Sequence, residues 1–256
     1  MKPTIRLNVR RLKPLEGKDY AEVIFFGDLH LGHPQCHLKK AIEMLKYCLE
    51  KNIYVLFMGD LMESGLTTSI GDSVYQQRLN PQEQMEAVIE MIIPIKEAGL
   101  CLGFLMGNHE MRIRKTSGID ISKNICRELK IPYLGYACWN LWYVGNQSYT
   151  IYAWHGASGA RFIYTKLKSV VDLSHYFTAD LIAMAHVHSL TSDSIERQYV
   201  DKGSKQVKVR KAHILITGSY LAYDDSYSQM KGFPPTKLGS PKVKFMSDRF
   251  DLHISF

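Results

Sequence analysis

The sequence of 256 residues predicts an α/β fold built around a parallel β-sheet. Apolar runs of strand length alternate with longer segments of helical periodicity, which is the pattern of β-α-β units. Three of these apolar runs also end in a glycine that is followed at once by a polar residue, at Gly27-Asp28, Gly59-Asp60 and Gly107-Asn108. Ligands of open α/β sheets collect at the carboxyl ends of the strands, so these three ends predict a functional site.

The first half of the chain supplies the parallel strands and the helices between them. Residues 1–21 alternate between apolar and basic side chains, which indicates an edge strand or a basic arm. Apolar spacing of three and four predicts a helix over residues 38–49. A second helix is expected to begin at Asn80-Pro81 and to bend or end at Pro94. Strands are expected at residues 23–26, 53–58 and 100–106, and a polar loop at residues 64–72.

The second half of the chain is richer in aromatic strands. We expect helices over residues 119–129 and 162–173, and strands at 137–144, 149–154 and 181–185. Residues 191–199 and 205–217 read as a hairpin turned at Lys202-Gly203. Residues 223–243 are predicted to form a long loop over the sheet. No repeat or linker interrupts the pattern, so one domain of residues 1–256 is preferred, with 222–256 as a C-terminal loop and strand.

Composition is that of an ordinary soluble globular protein. Hydrophobic residues make up 46% of the chain and charged residues 22%, which allows a sizeable core. No stretch is apolar and long enough to cross a bilayer, and the first residues lack a secretory signal. The five cysteines are widely spaced and read as reduced thiols. We therefore expect a cytoplasmic protein without a membrane partner.

The net charge of +7 is unevenly distributed along the chain. Positive charge concentrates in residues 2–18, 112–130 and 197–244. A basic surface around a site with acidic ligands would attract a polyanion. The alternative, that these residues form solvated faces that keep the protein soluble, has about equal weight.

Polar residues at the predicted strand ends form the candidate site. Asp28 and His30 lie two residues apart, so on extended backbone their side chains would share one face. Asp and His together suit a divalent transition metal. His186 and His188 repeat this spacing after a later strand, and two imidazoles on one face rarely serve packing. The other strand ends carry Asp60, Asn108, His109 and His155.

The same strand ends carry five sequence blocks of a known family. Gly-Asp-Leu-His, Gly-Asp-Leu-Met-Glu, Gly-Asn-His-Glu, His-Gly and Ala-His-Val-His, in this order, resemble the calcineurin-like metallophosphoesterases over roughly residues 22–220. Ala185 departs from the pattern, since the family usually has glycine before His-x-His. The resemblance implies an α-β-β-α sandwich of four layers, with two mixed β-sheets packed face to face, and a centre of two metals.

The resemblance also implies a set of ligands for each of the two metals. One metal would be held by Asp28, His30 and His188, the other by Asn108, His155 and His186, and Asp60 would bridge them. Mixed nitrogen and oxygen ligands favour Mn²⁺, with Fe or Zn²⁺ as alternatives. Two such cations would lower the pKa of a shared water, and the bridging hydroxide would attack phosphorus in line.

Two further residues of the Gly-Asn-His-Glu block are expected to be catalytic. His109 has no metal to hold, and in the family pattern it faces the scissile phosphate as general acid or charge stabiliser. Glu110 is expected either to orient His109 or to serve as a plain helix-start carboxylate, and both interpretations have about equal weight.

The opening block, residues 27–33, most resembles the branch of the family that includes DNA-repair nucleases. His33, Arg112 and Arg114 are therefore candidate phosphate contacts, and Tyr223, Tyr227 and Phe233 are candidates for stacking on bases. The preferred function is a phosphodiesterase or nuclease acting on DNA, RNA or nucleotides. A phosphomonoesterase acting on a phosphoprotein or small metabolite is the alternative, and a non-catalytic binding module is the third. The sequence leaves the oligomeric state open.

Overall fold

The computed structural model describes residues 6–69, 73–224 and 227–256, except for the side chains of Ser73 and Tyr227. Parts of the predicted N-terminal arm, the predicted polar loop and the predicted C-terminal loop lie outside the described residues, namely 1–5, 70–72 and 225–226. The predicted stacking role of the Tyr227 side chain lies outside them as well.

The described residues form two mixed sheets and the helices that cover them. The strands are β1 (Leu7–Leu12), β2 (Tyr20–Phe26), β3 (Tyr54–Phe57), β4 (Cys101–Leu105), β5 (Tyr133–Gly135), β6 (Ala137–Val144), β7 (Gln147–Trp154), β8 (Leu181–Met184), β9 (Leu190–Asp201), β10 (Gln206–Thr217), β11 (Lys242–Met246) and β12 (Leu252–Ser255). The helices are α1 (Leu38–Lys51), α2 (Ser73–Gln76), α3 (Pro81–Glu97), α4 (Asn108–Ser117), α5 (Ile121–Leu129), α6 (Ile163–Tyr176) and α7 (Tyr227–Met230).

Each sheet has six strands. Sheet 1 has the spatial order β1-β6-β7-β8-β10-β9, and sheet 2 has the order β12-β11-β2-β3-β4-β5. In sheet 2, β2 to β5 are parallel, as the β-α-β pattern predicts, and β11 joins β2 in antiparallel register. In sheet 1, β7, β8 and β10 are parallel, while β9 pairs with β10 as the predicted hairpin. β1 lies at the edge of sheet 1, beside β6.

Three apolar clusters separate the layers of the molecule. Alternate residues of β2 face opposite ways: Phe25 points into the space between the sheets, 6.0 Å from the ring of Trp142 in sheet 1. Phe26 points outward, into the cluster that α1, α3 and α5 cover. The outer face of sheet 1 packs against α6. The predicted α-β-β-α sandwich is confirmed.

The two sheets are also joined by a buried hydroxyl group at the end of the sandwich where β7 begins. Tyr149 of β7 is fully buried, and its hydroxyl lies 2.7 Å from the carbonyl oxygen of Met246 at the end of β11. The ring of Tyr149 packs edge-on against Phe245, with a centroid separation of 5.1 Å. This contact joins sheet 1 to sheet 2 through a hydrogen bond as well as through apolar packing.

The structure corrects three local predictions. The chain forms helix α4 directly after β4, and the periodicity misses it because Glu110 is its single buried residue, so no apolar stripe exists. Of the two outcomes predicted for Pro94, a bend or an end of helix α3, the end is wrong, because the helix continues to Glu97 with Pro94 exposed on its surface. The predicted loop over residues 223–243 contains the short helix α7 and ends where β11 begins at Lys242.

Candidate metal centre

The predicted metal ligands meet at one end of the sandwich, where strands of both sheets end. Sheet 2 contributes the residues that follow β2, β3 and β4, and sheet 1 contributes those that follow β7 and β8. They are Asp28, His30, Asp60 and Asn108 from sheet 2, and His155, His186 and His188 from sheet 1.

Asp28, His30 and His188 form the first group of side chains. Their ligand atoms all lie within 4.8 Å of one another. His188 Nε2 is 3.0 Å from His30 Nε2 and 3.5 Å from Asp28 Oδ1. Asp28 Oδ2 accepts the backbone N–H of His186 at 2.9 Å, but Oδ1 is buried and accepts no hydrogen bond. The first group therefore holds a carboxylate oxygen that is free to take a cation.

Asp60, His155 and His186 form the second group, again within 4.8 Å. His155 Nε2 is 3.2 Å from Asp60 Oδ2 and 3.0 Å from Asn108 Oδ1. His155 Nδ1 lies 2.8 Å from the carbonyl oxygen of Met58, which can only accept, so Nδ1 carries the hydrogen. In the neutral ring, an Nε2 lone pair then points at two further acceptors. Asp60 Oδ2 is buried and accepts no hydrogen bond from any residue that the structure describes.

The donor set fits a pair of divalent cations. Buried carboxylate oxygens are normally hydrogen-bonded, so Asp28 Oδ1 and Asp60 Oδ2, which accept no hydrogen bond from the described residues, are atoms that a cation could take. Asp60 also lies within 4.8 Å of His30, which places it between the two groups. Imidazole nitrogens mixed with carboxylate and amide oxygens are ligands of Mn²⁺, Fe and Zn²⁺.

Burial and the neighbouring charges set the protonation of these side chains. Burial alone would raise the pKa of Asp60, but the charge of His155 and its neighbours holds the pKa well below the usual range. Burial and repulsion from His109 lower the pKa of His30 to about 4. Burial would lower the pKa of His155, but the charge of Asp60 raises it to about 9. The carboxylate is thus ionised, and the His30 ring is neutral with an available lone pair.

The backbone at the strand ends is strained, and this corrects the sequence argument. Asp28 and His30 have φ values of 49° and 53°, so they do not lie on extended backbone, and their meeting does not come from strand alternation. Asp60, His186 and His188 have φ values of 50°, 70° and 50°. Such conformations cost side-chain-bearing residues about 1–3 kcal/mol each and cluster at functional sites.

Two glycines let the strand ends approach one another. Gly59 has φ 90°, and a Cβ atom there would lie 2.6 Å from the backbone nitrogen of Gly107 and 2.8 Å from His155 Nδ1. A Cβ atom on Gly107 would clash with Oδ1 of Asp60. The glycines that precede Asp60 and Asn108 therefore permit close packing of the two ligand loops.

Glu63 is a buried site residue that sequence reasoning missed. Its Oε2 atom lies 3.0 Å from Nδ1 of His30 and 3.2 Å from Nδ1 of His109, and its Oε1 atom lies 3.4 Å from the Arg112 guanidinium. Burial would raise the pKa of Glu63, but the hydrogen bonds from His109 and His30 hold it far below the usual range. Its position at the end of the Gly-Asp-Leu-Met-Glu block is the signal that could have identified it.

His109 lies between the metal groups and the start of α4. Its backbone N–H donates to Asp60 Oδ1 at 2.8 Å, and its Nε2 is 3.9 Å from Asp60 Oδ2 and 3.0 Å from Arg112 Nη2. Burial would lower the pKa of His109, but the charge of Asp60 and the hydrogen bond to Glu63 raise it. Because a guanidinium N–H can only donate, Nε2 accepts from Arg112 in this arrangement and Nδ1 carries the ring hydrogen.

Glu110 holds backbone rather than the His109 ring. Its carboxylate accepts the N–H groups of Asp60, Leu61, Met62 and Gly107 at distances from 2.8 to 3.2 Å. It is fully buried, and none of its hydrogen bonds within the described residues reaches the ring of His109. The geometry favours the interpretation as a helix-start carboxylate, which here also fixes the loop that carries Asp60.

The structure separates the three predicted phosphate contacts. Arg112 lies beside His109 and Glu63 at the centre. The exposed Arg114 guanidinium is instead 3.7 Å from the Asp120 carboxylate, at the N-cap of α5. His33 is partly buried, and its backbone N–H donates to the carbonyl of His30 at 2.9 Å.

The two aromatic side chains proposed for stacking that the structure describes are both partly buried. Tyr223 follows the bridge that Leu221 makes with Cys36. The ring of Phe233 has the guanidinium of Arg161 at 5.6 Å from its centroid.

Comparison with known proteins adds a family to this geometry. The model of the calcineurin-like phosphoesterases matches residues 21–228. No curated protein sequence matches the chain significantly. Solved structures with similar folds include the phosphoesterase YfcE from E. coli, with 10% identity over 89% of each chain and a TM-score of 0.41. Zinc-bound Vps29 from Entamoeba histolytica has 14% identity over 91% of this chain and 97% of its own, with a TM-score of 0.40.

A metallophosphoesterase from Sphaerobacter thermophilus has 13% identity over 92% of this chain and 88% of its own, with a TM-score of 0.39. Among the described residues, no helix combines the length and apolar character that a membrane span needs. The match of the family model covers most of the chain and includes every candidate ligand. The chain therefore belongs to the calcineurin-like phosphoesterase family, whose members use divalent metals to hydrolyse phosphoester bonds.

Proposed function

We propose that the protein is a phosphodiesterase that cleaves nucleic acid or nucleotides with two divalent cations, preferably Mn²⁺. Asp28, His30 and His188 would hold the first cation, Asn108, His155 and His186 would hold the second, and Asp60 lies where it would serve both. The observation that carries the ligand assignment is the pair of buried carboxylate oxygens, Asp28 Oδ1 and Asp60 Oδ2, that face imidazole rings without accepting a hydrogen bond.

The residues around the metal groups support a division of labour in catalysis. Cations of this kind supply Lewis-acid charge and lower the pKa of water when bound. Glu63 orients His109 through Nδ1, which leaves Nε2 as the atom that would carry a proton to the leaving oxygen once the Arg112 N–H that it accepts turns to the phosphate. Arg112 Nη2, 3.0 Å from that Nε2, offers positive charge to the same phosphate group.

Charge and cysteine chemistry support the finer parts of the proposal. The net charge of +7 favours a polyanionic substrate over a neutral one. All five cysteines are free thiols, which agrees with the reducing cytoplasm as the location of the protein. A phosphomonoesterase remains the second candidate, because the metal groups alone do not choose between one and two ester bonds.

A panel of metals and substrates tests this proposal. Metal-free protein is loaded with Mn²⁺, Fe²⁺ or Zn²⁺, and turnover of bis(p-nitrophenyl) phosphate is compared with that of p-nitrophenyl phosphate. We expect the diester to be cleaved at least tenfold faster in Mn²⁺, and the Asp60→Asn variant to lose metal and activity together. A preference for the monoester would establish the phosphatase instead.

Two further readouts complete the panel. Full metal loading without hydrolysis of either ester would favour a binding module. For nucleic acid, the affinity of a single-stranded oligonucleotide should fall steeply with salt concentration, because binding releases counterions. An affinity that does not change with salt would count against a nucleic-acid substrate.

A further inference from the structure

A cavity of about 400 Å³ is lined in part by the residues that follow the candidate ligand His188 in the chain. Ser189 and Leu190 line it, and Ser189 is the residue directly after the proposed ligand His188. One wall is formed by residues 161–164, at the start of α6, and the other by residues 234–237. The volume is within the range of small-ligand pockets, about 300–1,000 Å³.

Two aromatic rings are exposed on the α6 wall of this cavity. Phe162 and Tyr164 lie parallel, with an interplanar angle of 2° and centroids 5.6 Å apart. Both are largely exposed, at 57% and 66%. They therefore contribute little to the core, while their open faces suit stacking by a planar ring of a ligand.

The lining segment of residues 234–237 combines two prolines with two polar residues and contacts the start of α6. Pro234 and Pro235 form part of it, and their fixed φ angles give a rigid apolar surface. The guanidinium of Arg161 lies over the ring of Phe233 at 5.6 Å, which joins the two walls at their chain ends. The lining thus offers a flat aromatic group both aromatic rings and proline surface.

Positive charge accompanies the aromatic rings. Arg161 and Lys237 line the cavity. Lys166, on the first turns of α6, is buried and donates from Nζ to Ser189 Oγ at 2.7 Å. Within the part of the chain that the structure describes, none of these three cations has a carboxylate within 4.0 Å. The cavity therefore combines stacking surface with unneutralised positive charge, next to a site for phosphoester cleavage.

We propose that this cavity binds a nucleobase of the substrate, stacked on Phe162 and Tyr164, while Arg161 and Lys237 contact a phosphate of the same nucleotide unit. This inference rests on the proposed phosphodiesterase function and narrows it to substrates that contain a nucleotide. A base separated from its phosphate by a sugar matches the separate aromatic and basic groups of the cavity.

Equilibrium binding tests the cavity without catalysis. The fluorescence of 2-aminopurine deoxyribonucleoside 5′-monophosphate, which falls on stacking, is titrated with protein in EDTA. We expect saturable quenching by the wild type, and at least about tenfold weaker binding by the Phe162→Ala/Tyr164→Ala double variant, the magnitude of one lost base stack. The single variant Tyr164→Phe, which keeps both aromatic rings, should bind the probe as the wild type does. A second arm uses a single-stranded hexanucleotide with one 2-aminopurine, to separate nucleotides from nucleic-acid strands as the source of the base.

Tyr176→Ala is the matched control, because Tyr176 is an exposed aromatic residue at the far end of the same helix and does not line the cavity. It should bind both probes as the wild type does. Equal binding by the double variant and the wild type, or no quenching by the wild type, would overturn the inference.

A kinetic comparison separates the cavity from the reaction. In Mn²⁺, kcat/KM is measured for thymidine 5′-(p-nitrophenyl phosphate) and for methyl p-nitrophenyl phosphate, which has the same leaving group but no base. The double variant should lose about tenfold on the thymidine ester alone. Equal losses on both esters would contradict base binding. If the wild type cleaves neither ester, the proposed function fails, and the binding titration still decides the inference.

Discussion

The Oε2 atom of Glu63 lies 3.0 Å from Nδ1 of His30 and 3.2 Å from Nδ1 of His109. One buried carboxylate thus orients both a proposed metal ligand and the proposed acid. His30 gives its Nδ1 hydrogen to this carboxylate, whereas Nδ1 of His109 lies nearer the backbone carbonyl oxygen of Glu63, at 2.8 Å. Both rings therefore present Nε2 to the centre. Partners of this kind are typically worth 10–100-fold in metal affinity or activity.

The Glu63→Gln variant should therefore bind Mn²⁺ about 10–100-fold more weakly, since the His30 ring loses its charged partner. It should also turn over more slowly at saturating metal, because His109 is less well held. Metal affinity comes from a competition titration with a chelator, and kcat from the diester assay. Glu22→Gln is the control, because Glu22 is equally buried in sheet 2 but pairs with Lys242. Unchanged metal affinity and turnover would contradict the orienting role.

The His109→Ala variant should lose turnover while it keeps its metals. We propose His109 as the general acid and not as a ligand, although its ligand atom lies within 4.8 Å of those of His30 and Asp60. On that assignment kcat should fall by about 10²–10⁴-fold, the usual contribution of a general acid. Metal content per chain, measured by elemental analysis, should equal that of the wild type. A matching loss of metal would make His109 a ligand and not the acid.

Removal of Glu110 should destabilise the fold. Glu110→Ala leaves four buried backbone N–H groups without their acceptor, which should lower the free energy of unfolding by about 3 kcal/mol or more. Glu110→Gln keeps one oxygen acceptor and should lose less. Urea denaturation in EDTA compares the two variants without contributions from metal. Wild-type stability in the alanine variant would show that these hydrogen bonds are replaced by water.

Strain at His188 should be visible as a difference between two truncations. His188 has φ 50°, which glycine adopts freely and alanine does not. In EDTA, the free energy of unfolding of His188→Gly should therefore exceed that of His188→Ala by about 1 kcal/mol. His188→Gly should accordingly have the higher melting temperature. Both variants lose the same imidazole, so ligand loss cancels in the comparison. Equal melting temperatures would indicate that the backbone relaxes once the ring is gone.

The buried Lys166 should cost stability at neutral pH. Burial lowers the pKa of its ammonium group, whose single polar partner within the described residues is the hydroxyl of Ser189. Lys166→Met should raise the free energy of unfolding at pH 7 by about 1 kcal/mol or more. The pKa of Lys166 is lower in the folded protein than in the unfolded chain. The wild type therefore gains stability as the pH rises from the folded pKa to the unfolded pKa. The advantage of the variant should shrink in the same interval, as denaturation at pH 7 to 10 can show. A constant advantage would contradict a charged, buried lysine.

Much of the fold can be predicted from the sequence, because continuous apolar runs indicate buried strands. The continuous runs that became β2, β3 and β4 are buried on both faces, which only a strand between two layers requires. Helix α4 could not be found in this way, because its buried face consists of the polar Glu110. Its start was signalled instead by Gly107 and by a glutamate three residues later.

The sequence likewise predicted which side chains form the site but not the backbone conformation that brings them together. The spacing of Asp28 and His30 identified two side chains that do meet, but through left-handed backbone and not through strand alternation. Such φ values leave no mark on residue type when the residue is Asp or His and not glycine. Glu63 escaped notice because a buried glutamate is distinguished from a surface one only by the rings around it.

The candidate ligands come from both sheets, and this has a mechanical consequence for the sandwich. At the end where β7 begins, Tyr149 joins the sheets through its hydroxyl and its ring. At the other end, bound cations would act as cross-links between segments that are far apart in the chain, such as those of Asp28 and His188. Unlike a disulfide, such a cross-link is lost on unfolding, so the free energy of metal binding adds to the stability of the folded state. Metal loading would then set the stability of the contact between the two sheets, whatever ester the protein cleaves.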